Sequence, residues 1–257
     1  MKKPLLIALA ASCLHAPAAT LLFSDNFNVG DTTNFDGAST AGRLGGTASG
    51  ETAFQSFGSQ QDITGGRLDL DGAGGVRFGP ETSRYNWAGS TTGGSILTAG
   101  GFVVTFDWTL TTASNDWIGW KVGTANNDTS VIDASVDHSL LLRQNGGNER
   151  WDNGLNLGFS GTSFSPGATP LTIPVSLTYS FGSFADGSNV NLVAVVNGIQ
   201  VVTDTFTWSG NSGEFRMELE SGTEGNFVDN LAITTIPEPA TGLLGLMGAI
   251  FLIRRRK

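Results

Sequence analysis

The sequence predicts an all-β protein, a sandwich of two antiparallel sheets, and three observations carry that prediction. Glycine supplies 36 of 257 residues, about twice the ordinary usage of ~7%, and many stand where tight turns would be. No segment sustains a helical period, whereas several alternate apolar and polar residues with period two. The Asn-Gly step Asn197-Gly198 separates two apolar runs. That is the strongest short hairpin signal, because a type I′ turn needs φ > 0 at both central positions.

The elements follow in chain order. Met1 to Ala19 reads as a secretory signal peptide: Lys2 and Lys3, an apolar centre from Leu5 to Leu14, then the small-residue pattern Ala16-Pro17-Ala18. Cys13 opens an alternative, a lipoprotein processing site at Ala-Ala-Ser-Cys, although Ala10 stands where leucine is usual. The body, residues 20–235, has the length of one all-β domain. Strands are predicted over Leu21 to Phe27, Arg67 to Asp71, Phe102 to Thr111, Trp117 to Val122, Ser139 to Gln144, Val175 to Phe184, Phe215 to Glu220 and Phe227 to Thr234. The clearest is Phe102 to Thr111. There Phe102, Val104, Phe106, Trp108 and Leu110 take one face and belong to the core. The hairpin joins Val190–Val196 to Ile199–Phe206; a two-residue loop pairs Val196 with Ile199 and Ala194 with Val201. The region 31–65 shows no such pattern and reads as a loop-rich excursion.

The C-terminal stretch is of another kind. Ile236-Pro237-Glu238-Pro239 is followed by an uncharged run, Ala240 to Ile253, and then Arg254-Arg255-Arg256-Lys257. As a helix the run reaches ~21 Å, short of a ~30 Å hydrocarbon core, and the basic end favours the cytoplasmic side. The prolines make an extended, accessible step before it. In residues, order and position this tail resembles the PEP-CTERM sorting signal of Gram-negative bacteria. The resemblance implies processing near Pro237, Glu238 and Pro239 by an exosortase, with Arg254, Arg255 and Arg256 as the cytoplasmic anchor. It also implies signal peptidase as a partner, transient anchoring in the inner membrane and delivery to the cell surface or beyond, in connection with extracellular polysaccharide. A plain, uncut anchor helix is the other reading of the same residues.

Charge and chemistry narrow the body's role. Removing both ends leaves 8 Lys and Arg against 22 Asp and Glu, a net charge of −14, which argues against nucleic acid and anionic membranes. The single cysteine, Cys13, lies in the signal, so the core holds without a disulfide. His138 is the one histidine after export and no Gly-x-Ser-x-Gly elbow accompanies it. Glu218-Leu219-Glu220, with Glu224 further on, puts two carboxylates on one strand face and reads as a solvated sheet face. Zinc lacks a Cys/His cluster. Trp87 and Trp151 stand among polar loop residues and read either as exposed platforms for stacking on sugars or as rings folded back over a sheet edge.

A second resemblance covers nearly the whole body. Phe23-Ser24-Asp25-Asn26-Phe27 opens it, Val228-Asp229-Asn230-Leu231 closes it, and between them lie Asn115-Asp116-Trp117-Ile118-Gly119-Trp120 and the Asn197-Gly198 hairpin. Together they resemble a concanavalin A-like, laminin-G-type jelly roll. The resemblance implies a structural calcium near Asp25 and Asp229. It also brings laminarinase-type hydrolases to mind, whose Glu-x-Asp-x-x-Glu strand is missing here. The expected function is a non-catalytic surface or matrix protein associated with polysaccharide, with a lectin-like glycan-binding module as the alternative and a glycoside hydrolase as a distant one.

Overall fold

The computed structural model describes residues 19–28, 52–57, 62–70, 74–80, 91–111, 117–123, 137–143, 148–152, 155–160, 171–209, 216–221 and 225–237. All of them but Ala19 and Pro237 belong to one compact unit, Thr20–Ile236. The uncharged run from Ala240, Glu238, Pro239, Trp87, Glu224 and Arg254 to Arg256 lie outside the described residues; Pro237 is described and exposed. No helix among the described residues is long and apolar enough to cross a membrane.

The fold is a jelly-roll β-sandwich. Its strands are β1 (Leu21–Asp25), β2 (Thr52–Phe57), β3 (Asp62–Thr64), β4 (Arg67–Leu70), β5 (Gly74–Pro80), β6 (Gly101–Leu110), β7 (Trp117–Gly123), β8 (His138–Arg143), β9 (Asn148–Asp152), β10 (Leu155–Ser160), β11 (Leu171–Ser180), β12 (Asn189–Val196), β13 (Ile199–Thr207), β14 (Arg216–Ser221) and β15 (Asn226–Thr235), with one helix, α1 (Thr91–Thr98). The eight-stranded sheet runs β13-β12-β11-β6-β15-β4-β3, with β1 also against β15; the seven-stranded sheet runs β10-β9-β8-β7-β14-β5-β2. Every pairing is antiparallel.

Alternation builds the core as expected. Phe102, Val104, Phe106, Trp108 and Leu110 of β6 are buried, while Thr105 between them is exposed. Ile118, Trp120 and Val122, Leu140 and Leu142, Met217 and Leu219 face them from the other sheet. Each such side chain stabilises by ~1.5–3 kcal/mol when fully buried. At one end the rings of Phe181, Phe206 and Trp208 meet edge to face, with centroids 5.2 Å apart for Phe181–Trp208 and for Phe206–Trp208. Two polar pins join the sheets. In one, Trp108 Nε1 donates to Asn226 Oδ1 (2.8 Å) and Asn226 Nδ2 donates to Ser221 Oγ (2.8 Å). In the other, His138 Nε2 of β8 lies 3.0 Å from Asp204 Oδ2 of β13.

Four expectations need correction. Region 31–65 holds β2 and β3, and β2 is an edge strand of the seven-stranded sheet. The hairpin turn forms, with φ of 51° at Asn197 and 75° at Gly198, and Val196 pairs with Ile199. A bulge after Ala194, however, makes its partner Val202 rather than Val201. A helix exists after all: α1 carries Gly93 and Gly94, which hide a helical pattern, but burial of Ile96 against the core holds it. Trp151 stands in β9, not in a loop.

Candidate ligand-binding face

The outer face of the seven-stranded sheet is where the chain departs from ordinary sandwich chemistry. Strand register lines up Gln55, Arg77, Glu218, Lys121, Ser139, Trp151 and Asn156 as successive partners across all seven strands. At 4.7–4.9 Å per strand this row is about 29 Å long. The neighbouring row includes Met217 and Val122, which belong to the core. The polar row therefore faces away from it, since successive residues alternate faces.

An outward face should be wet, and this one is not. Lys121 is 2% exposed, Glu218 and Ser139 are 0% exposed, and Glu220 is 4% exposed. Leu141 is buried as well, yet stands apart from the core that gathers its neighbours Leu140 and Leu142. Lys121 Nζ and Glu218 Oε2 form an ion pair between directly opposed residues of β7 and β14. Ser139 Oγ, beside Lys121 in the ladder, finds no hydrogen-bond partner. A solvated face was expected for Glu218 and Glu220; they do share one face, but both are buried. Desolvating charges is expensive unless they are paired, so this face keeps a polar set that mere sheet formation does not require.

The eight-stranded sheet offers a different outer surface, built of short side chains. Thr105, Thr172, Pro174 and Thr203 are exposed and Asp107 and Ser176 are half-buried. Thr109 and Thr172 hydroxyls lie 2.7 Å apart, and Thr205 Oγ1 donates to Asn191 Oδ1 at 3.0 Å. A hollow of about 330 Å³ is lined by Thr105, Asp107, Pro174, Ser176, Gly198 and Asn230, among others. Asp229 is the ladder partner of Asp107 here, and Asn230 Nδ2 donates to Asp107 Oδ2 at 2.9 Å.

Asp25 and Asp229 were expected to meet at one calcium. Asp25 is buried opposite buried Leu231, and its Oδ1 accepts from Phe27 N–H at 2.7 Å. Asp229 is half-exposed opposite half-exposed Asp107. A bulge after Asp229, with φ of 50° at Asn230, reverses the strand's parity between the two sites. The carboxylates thus lie on opposite faces of the sheet and do not serve one ion. No group of three or more His, Cys, Asp or Glu suited to a metal occurs among the described residues.

His138 is interior. It is fully buried and stacks on Phe206 with centroids 4.5 Å apart. Burial pushes the nearby Tyr179 phenol well above its ordinary 10.0, and the Asp204 carboxylate adds to the rise. Tyr179 Oη has no hydrogen-bond partner. This cluster fixes the two sheets against each other and touches no surface site. Of the stacking candidates, Trp87 lies outside the described residues, and Trp151 takes the register position between Ser139 and Asn156. Sequence reading missed Lys121. Its alternation with Trp120 and Val122 gave its face, but its partner Glu218 lies 97 residues on and only the fold brings them together.

No family model and no curated protein matches the chain. Solved structures with similar architecture include the carbohydrate recognition domain of Emp46p in its potassium-bound form, at 8% identity, covering 74% of this chain and 90% of that one with a TM-score of 0.46. Another is the alginate lyase Aly36B, at 14% identity, 86% and 98% coverage and a TM-score of 0.47. A third is the CBM2 module of the evolved Dit of Lactobacillus casei BL23 phage J-1, at 8% identity, 86% and 98% coverage and a TM-score of 0.45. At this degree of likeness no role passes from them to this chain.

Proposed function

We propose that the protein is an exported, non-catalytic cell-surface or matrix component of a Gram-negative bacterium whose sandwich binds extracellular polysaccharide on the outer face of its seven-stranded sheet. One observation carries the reading: a row of register partners about 29 Å long, at 4.7–4.9 Å per strand, crosses all seven strands from Gln55 to Asn156 and includes Trp151, with the covered pair Lys121 and Glu218 as a structural element in its middle. Such a row suits an extended chain of hydroxyl-bearing residues, with donors and acceptors fixing its orientation and Trp151 at a register position for stacking. The non-catalytic part rests on Glu218. Its carboxylate is committed to Lys121, whereas hydrolysis with retention needs two carboxyls ~5–5.5 Å apart and available. An ion at Asp229 would act on stability rather than on chemistry.

Export and sorting rest on the sequence at either end: the signal peptide over residues 1–19, and Pro237, Glu238 and Pro239 ahead of the apolar run and Arg254, Arg255 and Arg256. Signal peptidase and an exosortase are the proposed processing partners. Intact-mass measurement of protein recovered from the host's surface tests this, and a species still ending in Lys257 defeats it. Polysaccharide binding is tested on a glycan array with wild type and Trp151→Ala. Losing one stacked ring should cost on the order of 1–3 kcal/mol. Absence of binding to any polymer defeats the reading, and hydrolysis of one defeats its non-catalytic part.

A further inference from the structure

The hollow on the eight-stranded sheet is built by short side chains between two irregularities of the backbone. Thr105 of β6 and Ser176 of β11 are direct ladder partners, and Asp107 and Pro174 form the next outward pair, two residues along. Val195 of β12 flanks Ser176 on its other side. None of these side chains reaches far from the sheet, so a depression of about 330 Å³ is left among them. One wall is the hairpin turn at Gly198, tied to β11 by Asn197 N–H donating to Pro174 O at 2.9 Å. The other is Asn230, which the bulge of β15 leaves without a partner on β6 at φ of 50°. Thr105, Pro174, Gly198 and Asn230 are all exposed, so the hollow is open to water. Its polar groups are fixed in place but not used up. Asn230 Nδ2 donates to Asp107 Oδ2 at 2.9 Å, and Asn230 N–H donates to Asp229 Oδ1 at 2.7 Å. Asp107 Oδ1, Asn230 Oδ1 and the Thr105 and Ser176 hydroxyls are left without a partner among the described residues. Two oxygens that only accept and two hydroxyls that donate or accept therefore surround one opening. No cation joins them. Arg67, the one Lys or Arg on the strands of this sheet, holds its guanidinium carbon 4.3 Å from the centroid of the Phe227 ring.

We propose that this hollow is a binding site for one neutral sugar ring, the terminal residue of a glycan, on the sheet opposite the polysaccharide face and independent of it. An anionic ring meets Asp107 with Asp229 beside it and no compensating cation, and like charges brought together cost affinity. A wholly apolar ligand strips water from a carboxylate oxygen and gives nothing back. A ring with adjacent hydroxyls meets every demand of the lining. It donates to Asp107 Oδ1 and Asn230 Oδ1, accepts from Thr105 and Ser176, and lays its C–H face on Pro174 and Val195. The bonds to the carboxylate are charge-assisted and are the strong ones. Asn230 already holds that carboxylate in position, so little ordering remains to be done on binding. The volume lies at the low end of the ~300–1,000 Å³ of small-ligand sites, which suits a single ring rather than a length of polymer.

The test titrates the full-length protein, in the presence of chelator, with the methyl glycosides of glucose, galactose, mannose and fucose and with glucuronate. Expected is saturable binding of at least one neutral glycoside, roughly tenfold or more tighter than glucuronate. Asp107→Ala should weaken that binding roughly tenfold or more, the loss that follows from removing hydrogen bonds to a charged group, at an unchanged melting temperature. Thr64→Ala, on β3 at the far edge of the same sheet, should leave it as it was. In the wild type the Gly198 backbone amide and the Asn230 side-chain amide should shift in the magnetic resonance spectrum as the glycoside is added. Saturation by none of the neutral glycosides, or equal binding of glucuronate, overturns the proposal. Binding that appears only when calcium replaces the chelator overturns the direct contact between ring and side chains. Binding retained in Asp107→Ala removes the site from this hollow and leaves the polysaccharide reading standing. Unmoved Gly198 and Asn230 resonances do the same, even where Asp107→Ala fails to fold.

Discussion

The two sheets of this sandwich bury the same kind of interior and present opposite kinds of exterior. The eight-stranded sheet turns out threonines, serines and aspartates that remain in contact with water, and its carboxylates bond to their own neighbours, as Asp229 Oδ1 does with Asn230 N–H at 2.7 Å. The seven-stranded sheet turns out long charged side chains and then removes them from water, holding Lys121 against Glu218. The difference shows which exterior carries chemistry that folding alone does not require. A sheet stays folded with hydroxyls on its outer face at little cost, but a desolvated ion pair adds little stability of its own. Its presence on one face only points to a role for that face.

The largest test of this contrast is Lys121→Met. It removes the Lys121 partner of the buried carboxylate Glu218 and should cost up to about 3–5 kcal/mol, read as a fall in the denaturation midpoint. Lys121→Met combined with Glu218→Leu should recover most of the loss; a double variant as unstable as the single one would show that the pair itself holds the sheet. Next in size is Gly198→Val on the eight-stranded side. Gly198 has φ of 75° and open space where a Cβ would stand, so the loss is backbone strain alone, about 1–2 kcal/mol. An unchanged midpoint would break the hairpin assignment.

Alkaline titration probes the interior both sheets share. Tyr179 has its pKa raised in the fold, by burial first and by Asp204 second. The unfolded chain therefore ionises this phenol before the folded one does. The stability it contributes is complete below about pH 10 and declines above it, at no more than about 1.4 kcal/mol per pH unit. Tyr179→Phe should flatten that decline; urea midpoints measured at pH 9 and pH 11 compare the two. The smallest expected effect is Asp107→Ala on the wet face, within ~0.5 kcal/mol. A loss several times larger would mean that this face, too, holds a buried polar set.

The architecture was legible where alternation is strong and pairing local. Phe102 to Leu110 announced its buried face, and Asn197-Gly198 its turn, because each depends on residues a few positions apart. Strands with little apolar alternation were not legible. β9 reads Asn-Glu-Arg-Trp-Asp and shows no apolar face, and β5 has only Val76 and Phe78 on one face between Gly-Gly and Gly-Pro; both exist because neighbouring strands offer free backbone groups. The site was half legible. Glu218 and Glu220 were seen to share a face, but their burial and the partnership with Lys121 arise only when β7 and β14 meet. The parity reversal that separates Asp25 from Asp229 comes from a bulge at Asn230, and a single residue with φ > 0 leaves no periodic trace in the sequence.

The place of β15 has a consequence for the order of assembly. The last strand of the sandwich is an inner strand of its sheet: β6 flanks it on one side and β1 and β4 on the other, and β3 reaches the sheet through β4. Until residues 226–235 are present, β1 has no partner among the described strands and β3 and β4 are a detached hairpin. Thr20 N–H, at the opposite end of the chain, donates to Thr235 Oγ1 at 2.8 Å. Contacts between such distant residues form late, since closing so long a loop must precede any gain from it. A chain of this design cannot finish its larger sheet while its C-terminal strand is still being made. The sheet closes, first strand against last, only once the whole body has been synthesised.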